Sequence, residues 1–452
     1  MYGDKIAIIG NDISAFMFGI SALKEGYDVK MYDYNKGYMD FSSSAFYFPL
    51  GEKGSLIRNE LDKIMKVEET DVEYFFNYQN TVYMDKDLEV FRKKLLSYSV
   101  SDKEKINDFC DAILLSKKTT LYYEKPLQSL SFIGKIMFDR VNKNKNKILK
   151  KYNTMSIREY AEAFHSECIK GLICGIMDSR CAMGELFIFL GALYNNTLKY
   201  FDVNKYYKAL YNEYISLGGK IHYKFDKVSI TTSKFKAHDL KYFEDQKEKP
   251  AYIVSATDPY FTLEVLLNKY VKDPVLKYGY QSYPVESSLQ LFFNCDKQFL
   301  PSVFLAEVKN LNVACKPLRD VKFYLNGNVI KCVINQIGTE WDYWSILSTD
   351  QAVYKAEIKR IAAEINQIIE KYLHVKCRLD TFLTPIDTVG GYKGGVASLM
   401  KVPNSVITIK SPIIQGLNNV FLLKWSEGEG LDLLTYLMNT KQILEKMKEG
   451  KK

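Results

Sequence analysis

The stretch KIAIIGNDISAFMFGISALKEGYDVKMYD, residues 5–33, limits the fold more than any other part of the chain. The run KIAII is short, apolar and closed by Gly10, the form of a strand buried in a parallel sheet. Ile13, Phe16, Met17, Ile20 and Leu23 then fall at helical spacing, and Gly26 supplies the stop. YDVKMYD reads as a second strand that closes on Asp33. Strand, helix and strand in this order make a βαβ unit, so the chain opens as an α/β protein.

The remaining segments continue that start. Residues 55–200 read mostly helical, with SIREYAEAFHSECIKGLICGIM as one helix that has Ser156 as N-cap and Glu159 three residues on. NKYYKALYNEYISLGGKIHYKF reads as a helix, a Gly-Gly stop and a strand. EKPAYIVSATDPYFTLEVLL is a strand over 252–256, a turn, and a helix begun near Asp258 and Pro259. SSLQLFFNC and NVIKCVINQIG are strand-like and suit a second sheet, and DQAVYKAEIKRIAAEINQIIEKYL is a long amphipathic helix. The end reads as a strand, a glycine-containing turn and a last helix.

Composition excludes several classes. With 452 residues, 47% apolar and 26% charged, the chain has mass for two or three globular domains. A net charge of +8 is modest for this length and gives no nucleic-acid partner. The basic run NKNKNKILKK, residues 142–151, reads as a solvated face, with anionic lipid headgroups as the alternative. Eight cysteines without a Cys-x-x-Cys pair, beside only four histidines, imply no metal site and read as reduced core thiols in a cytoplasmic protein. The first apolar run is a strand rather than a signal peptide, and no run reaches the ~18 apolar residues of a membrane span. No nucleophile elbow, His-Glu-x-x-His or P-loop is present, so hydrolase and NTPase readings have no support.

The first βαβ unit also carries chemistry. In a dinucleotide-binding turn, the first glycine makes the bend and the second lets the backbone approach the pyrophosphate. The third position, often Ala, permits close helix–strand packing, and an acid about 20 residues on holds the ribose hydroxyls. Gly10, Ala15 and Asp33 fit these roles, and Asp33 lies 23 residues past Gly10. Asp12 stands where the second glycine belongs. A carboxylate there is a very good N-cap that either repels the phosphates the helix N-terminus would otherwise attract, or turns away or meets phosphate through a metal or water.

In segment order, the chain resembles the phytoene-desaturase-type branch of the FAD-dependent amine oxidase superfamily over nearly its whole length. Five places carry the resemblance: the βαβ unit with Gly10, Ala15 and Asp33; SIREYAEAF; the helix–Gly218–Gly219–strand segment leading to Val228; YIVSATDPYFTLEVLL; and FLTPIDTVGGYKGG followed by SPIIQGLNNVFLL. The resemblance implies a discontinuous FAD-binding domain over 1–70, 195–265 and 385–452. A mixed sheet-and-helix substrate domain would occupy 71–194 and 266–384. It implies FAD, in preference to NAD(P), against Gly10, Asp12, Ser14, Ala15, Asp33, Val228, Ala256, Glu427, Gly428, Gly430 and Leu431. Gly10, Ala15 and Asp33 would anchor the AMP half, the backbone near Val228 would meet adenine, and the 426–431 turn would lie by the flavin ring.

Two further places depart from the family. NKGYMDFSSSAFYFPLG keeps only Gly37 of the usual Gly-Gly-Arg-like turn and carries Asp40. The last strand, where the family has a glycine, runs into Lys424 and Trp425, and the turn after it holds Glu427 and Glu429. Lys424 and Trp425 are the catalytic candidates, Lys424 either holding negative charge near the ring or snorkelling from a strand end. Trp341, Tyr343 and Trp344 either line an aromatic pocket or pack a core, and His165 and His222 read as structural.

The resemblance, with its departures, implies two functions. One is a flavin-dependent oxidoreductase that desaturates, saturates or isomerises an apolar small molecule. The other is a flavin-free homologue that binds an apolar ligand or a protein partner, much as Rab GDP-dissociation inhibitors resemble this architecture and carry lipid. Peripheral membrane contact through residues 120–151, where LSFIGKIMFDRV is amphipathic and flanked by bases, is compatible with both.

Overall fold

The computed structural model describes residues 3–32, 47–49, 56–66, 68–78, 80–85, 87–117, 131–195, 200–223, 229–233, 236–243, 246–257, 261–267, 285–308, 311–336, 338–387, 398–399, 402–404, 412–414, 416–424 and 433–450. The elements used below are β1 (Lys5–Ile9), α1 (Ile13–Lys24), β2 (Asp28–Tyr32), α2 (Lys103–Ser116), α3 (Phe132–Val141), α4 (Lys143–Tyr152), α5 (Glu167–Ile176), α6 (Met183–Tyr194), α7 (Val203–Ser216), β3 (Lys220–His222), β4 (Tyr252–Ser255), β5 (Val285–Glu307), β6 (Asp320–Gln336), α8 (Gly338–Leu347), α9 (Gln351–Leu373), β7 (Val420–Leu422) and α10 (Leu433–Glu449).

Five strands line up in the order β7-β4-β1-β2-β3, and every neighbouring pair is parallel. Side chains alternate across β1. Ile6 and Ile8 face a layer containing Phe16 of α1, Leu210 of α7 and Met447 of α10. Ala7 and Ile9 face the other way, onto Leu240 and Tyr242 of a three-stranded antiparallel sheet. A parallel sheet needs cover on both faces, and the apolar run KIAII meets that need on each side. The chain order reverses between β1 and β4. In an open α/β sheet, the crevice beyond the strand ends at such a switch point is where ligands bind.

The second sheet centres on β5 and β6, which pair antiparallel over most of their length. Beside β5 run Cys377–Leu383, antiparallel, and Glu73–Tyr78, parallel. Helices α8 and α9 cover one cluster built on Leu291, Phe304 and Phe323, and α2, α4, α5 and α6 share another. The α/β class read from the sequence is the class observed.

Some local expectations change. Residues 73–83 are two strands rather than helix, because Glu73–Tyr78 is drawn into pairing with β5. The helix expected from Ser156 is two, Ile157–Ala161 and α5. Both halves of the capping box at Ser156 and Glu159 are made, so its start is as expected. The break falls at 162–166, where the buried carboxylate of Asp102 accepts the backbone N–H of His165 (2.8 Å) and of Ser166 (2.9 Å). After β4, the helix is a single π-helical stretch, Phe261–Leu266. Trp344 is fully buried and meets Tyr343 and Tyr354 edge-on, so it packs the core and lines no pocket.

Asp102 also accepts from Ser99 Oγ (2.8 Å) and from the His165 ring (2.8 Å). Burial by itself would raise its pKa, but the donors from His165, Ser166 and Ser99 outweigh it and hold the carboxyl well below the usual range. A depressed carboxyl adds stability above its unfolded pKa of ~3.9, and that stability is lost as pH falls through the lower folded value. Asp102→Asn should cost about 2–3 kcal/mol near neutral pH and flatten the acid side of the stability profile, as measured by urea unfolding at several pH values. A variant that kept the wild-type acid slope would contradict this.

Candidate functional site

The crevice at the switch point begins with Gly10. Its φ of 112° is open to glycine and strained for other residues. A side chain there would also come within 3.3 Å of Ala256 at the end of β4. The turn is pinned from both sides: Gly10 N–H donates to Tyr32 O (2.9 Å), and Ala256 N–H donates to Ile9 O (2.9 Å). This is the tight turn that the first glycine was expected to make.

Asp12 follows as the N-cap of α1, with extended backbone (φ −78°, ψ −177°). Its Oδ1 accepts Ala15 N–H (3.0 Å) and Ser14 Oγ–H (2.5 Å). Its Oδ2 is in ion-pair contact with Lys424 Nζ. Lys424 leaves the end of β7, two strands from β1, so its side chain reaches across the end of β4 to find Asp12. Both side chains are only 16% exposed.

The backbone behind each partner is fixed. Tyr207 of α7 donates its hydroxyl to Asn11 O (3.0 Å), one residue before Asp12. Asn439 of α10 donates to Leu423 O (2.8 Å), one residue before Lys424. All three of Asn11, Tyr207 and Asn439 are buried. The pair is therefore held by two helices as well as by its own attraction. Neither Tyr207 nor Asn439 carries a signal in the sequence, since a tyrosine and an asparagine within helices are ordinary.

At the far end of β2, Tyr32 is buried against Tyr242 (5.1 Å between ring centres) and His222 (5.9 Å). Burial, and then the nearby carboxylate of Glu248, push its phenol well above the ordinary range, so it stays neutral. Glu248 also pairs with Lys30. Asp33, the expected ribose ligand, lies outside the described residues, as do Val228, Trp425, Glu427, Gly428, Gly430 and Leu431. Of the expected cofactor residues, Gly10, Asp12, Ser14, Ala15 and Ala256 come together in the crevice. Lys424 joins them and holds Asp12.

A dinucleotide can be tested against this geometry. The N-terminus of α1, which would receive the pyrophosphate, already holds a carboxylate on the N–H of Ala15. Asp12 stands where the family resemblance implies a glycine, Lys424 is one of the two residues at the strand end where it implies another, and the two side chains are in contact. The pair sets a carboxylate at the helix N-terminus that the pyrophosphate of FAD or NAD(P) would use, so a dinucleotide would have to share that end of α1 with Asp12. Among the described residues, no group of three or more His, Cys, Asp or Glu could hold a metal, and no helix is long and apolar enough to cross a membrane.

No protein-family model and no curated protein matches the chain. Solved structures do. Putrescine oxidase bound to putrescine superposes with a TM-score of 0.59 at 10% identity, covering 99% of each chain. Cyclohexylamine oxidase from Brevibacterium oxydans IH-35A gives 0.56 at 9% identity and 100% of each chain. An oxidoreductase from Methanosarcina mazei gives 0.56 at 11%, covering 98% of this chain and 100% of its own. The chain thus shares the α/β fold of these oxidases and oxidoreductases. The phytoene-desaturase branch rests on the order of motifs alone.

Separate and joint removal of the pair gives a direct check. Asp12→Ala should cost about 2–4 kcal/mol, because it removes an N-cap and strands a partly buried ammonium. Lys424→Ala should cost about 1–3 kcal/mol. The double variant should be less destabilised than the sum, with a coupling of about 1–2 kcal/mol by urea unfolding. Strict additivity would mean that the two side chains do not meet.

Proposed function

We propose that this chain uses the flavin-oxidoreductase fold without a bound dinucleotide, as a binding protein for an apolar small molecule or a protein partner. The observation that supports this is the Asp12–Lys424 pair at the N-terminus of α1. A helix N-terminus attracts an anion. Here the anion is the protein's own, its charge is balanced from β7, and the ligand's role at that point is taken. A fold of this kind hosts many activities, so the site rather than the fold decides between them.

A second reading has its own support. The strained turn at Gly10, its approach to Ala256 and the small Ala15 are features that a dinucleotide site requires. In that reading the protein is a flavin-dependent oxidoreductase of desaturase, saturase or isomerase type acting on an apolar substrate, and Asp12 and Lys424 must separate for the cofactor to enter.

The absorbance spectrum of the purified protein, before and after added FAD, distinguishes the two. The expected result is no band near ~370 or ~450 nm, the marks of a bound flavin, and no thermal shift with excess FAD. Asp12→Gly, which opens the helix N-terminus and leaves Lys424 facing it, should then bind FAD at least tenfold more tightly than wild type. Wild-type protein that purifies yellow would overturn the proposal. Failure of Asp12→Gly to gain FAD would leave the flavin-free reading standing but would remove the ion pair as its cause.

A further inference from the structure

Helix α3 buries none of its residues. Phe132, Ile133, Ile136, Met137 and Val141 are 79%, 73%, 52%, 53% and 54% exposed. At 3.6 residues per turn they occupy about half of the helix circumference. The opposite side is the attached one, where Phe138 packs on the cluster beneath α1 and α10. Ser131 caps the start by accepting Gly134 N–H (3.1 Å), so the helix is built to hold this orientation. Asn142, buried between α3 and α4, donates to Phe138 O (3.0 Å) and fixes the turn into α4.

The charge around this face has one sign. Lys135, Arg140, Lys143, Lys147, Lys150 and Lys151 are exposed, against the single exposed acid Asp139 on these two helices. Among the described residues, Lys135, Arg140, Lys143 and Lys147 have no ion-pair partner. Inside α4, Ile148 and Tyr152 are buried, so its bases are carried on the outer side of a helix that is anchored to the protein.

We propose that α3 and α4 form a docking surface for an anionic lipid membrane, with the apolar face of α3 lying in the interfacial plane and the bases over acidic headgroups. Five exposed apolar side chains beside a ring of unpaired bases match an interfacial helix. A second copy of the chain suits the surface less well. A two-fold interface would set the same bases against each other. The apolar face offers roughly 600 Å², under the ~800 Å² per partner of a standard interface. This assignment is independent of whether the crevice at Asp12 takes a dinucleotide.

The test is co-sedimentation of the full chain with phosphatidylcholine vesicles, with and without phosphatidylserine, beside its oligomeric state by light scattering. Wild type should bind the phosphatidylserine vesicles at least tenfold more than the neutral ones, and less as salt rises. Ile133→Asp with Ile136→Asp should lose that binding at least tenfold while leaving the thermal unfolding curve unchanged, since both side chains are exposed. Lys143→Glu with Lys147→Glu should lose it to a similar degree. Equal binding to both vesicle types, or Asp variants that bind as wild type does, would overturn the proposal. So would a wild-type dimer that the Asp variants convert to monomer, because the face would then be an interface between copies.

Discussion

The contact between Asp12 and Lys424 ties the first strand of the parallel sheet to its last. Asp12 stands past the end of β1 and Lys424 past the end of β7, with β4 between them. The sheet, the two covering layers and the Gly10 turn all deliver these two residues to one crevice, the position at which an α/β sheet offers a site. Removing charge from either would leave the other poorly solvated at 16% exposure. The anchoring of Asn11 by Tyr207 and of Leu423 by Asn439 shows that neighbouring helices are arranged around the same point. The result is a partly buried contact between opposite charges.

What could be read from the sequence was mostly local. The β1–α1–β2 unit follows from spacing over a few turns, and it is observed with the expected bounds to within a residue. Asp12 departs from a glycine, and Lys424 with Trp425 stands where the family resemblance implies another. Their meeting was not legible, because it depends on a strand order that brings opposite ends of the chain together. The signal that could have joined them was their opposite sign at two positions expected to face one ligand. The strands at 73–83 were missed for a related reason. EYFFNY is compatible with helix or strand, and its partner Ser302–Ala306 lies more than half the described chain away. The break before α5 depends on Asp102, which reaches Ser166 from another helix. Trp344 could be placed in a core only once Tyr354 of α9 was beside it.

The two notable surfaces of the molecule have opposite character. At the crevice the N–H of Ala15 and the charge of Asp12 are met by the protein itself. The outer face of α3 is the reverse, since its apolar side chains and the bases around it meet solvent.

The most direct measurement is a crystal structure of the wild-type protein grown with excess FAD. Asp12 Oδ2 and Lys424 Nζ should remain in contact, with no dinucleotide density over the N-terminus of α1. A pyrophosphate seated on the amides of Ile13 and Ser14, with Lys424 turned away from Asp12, would contradict it.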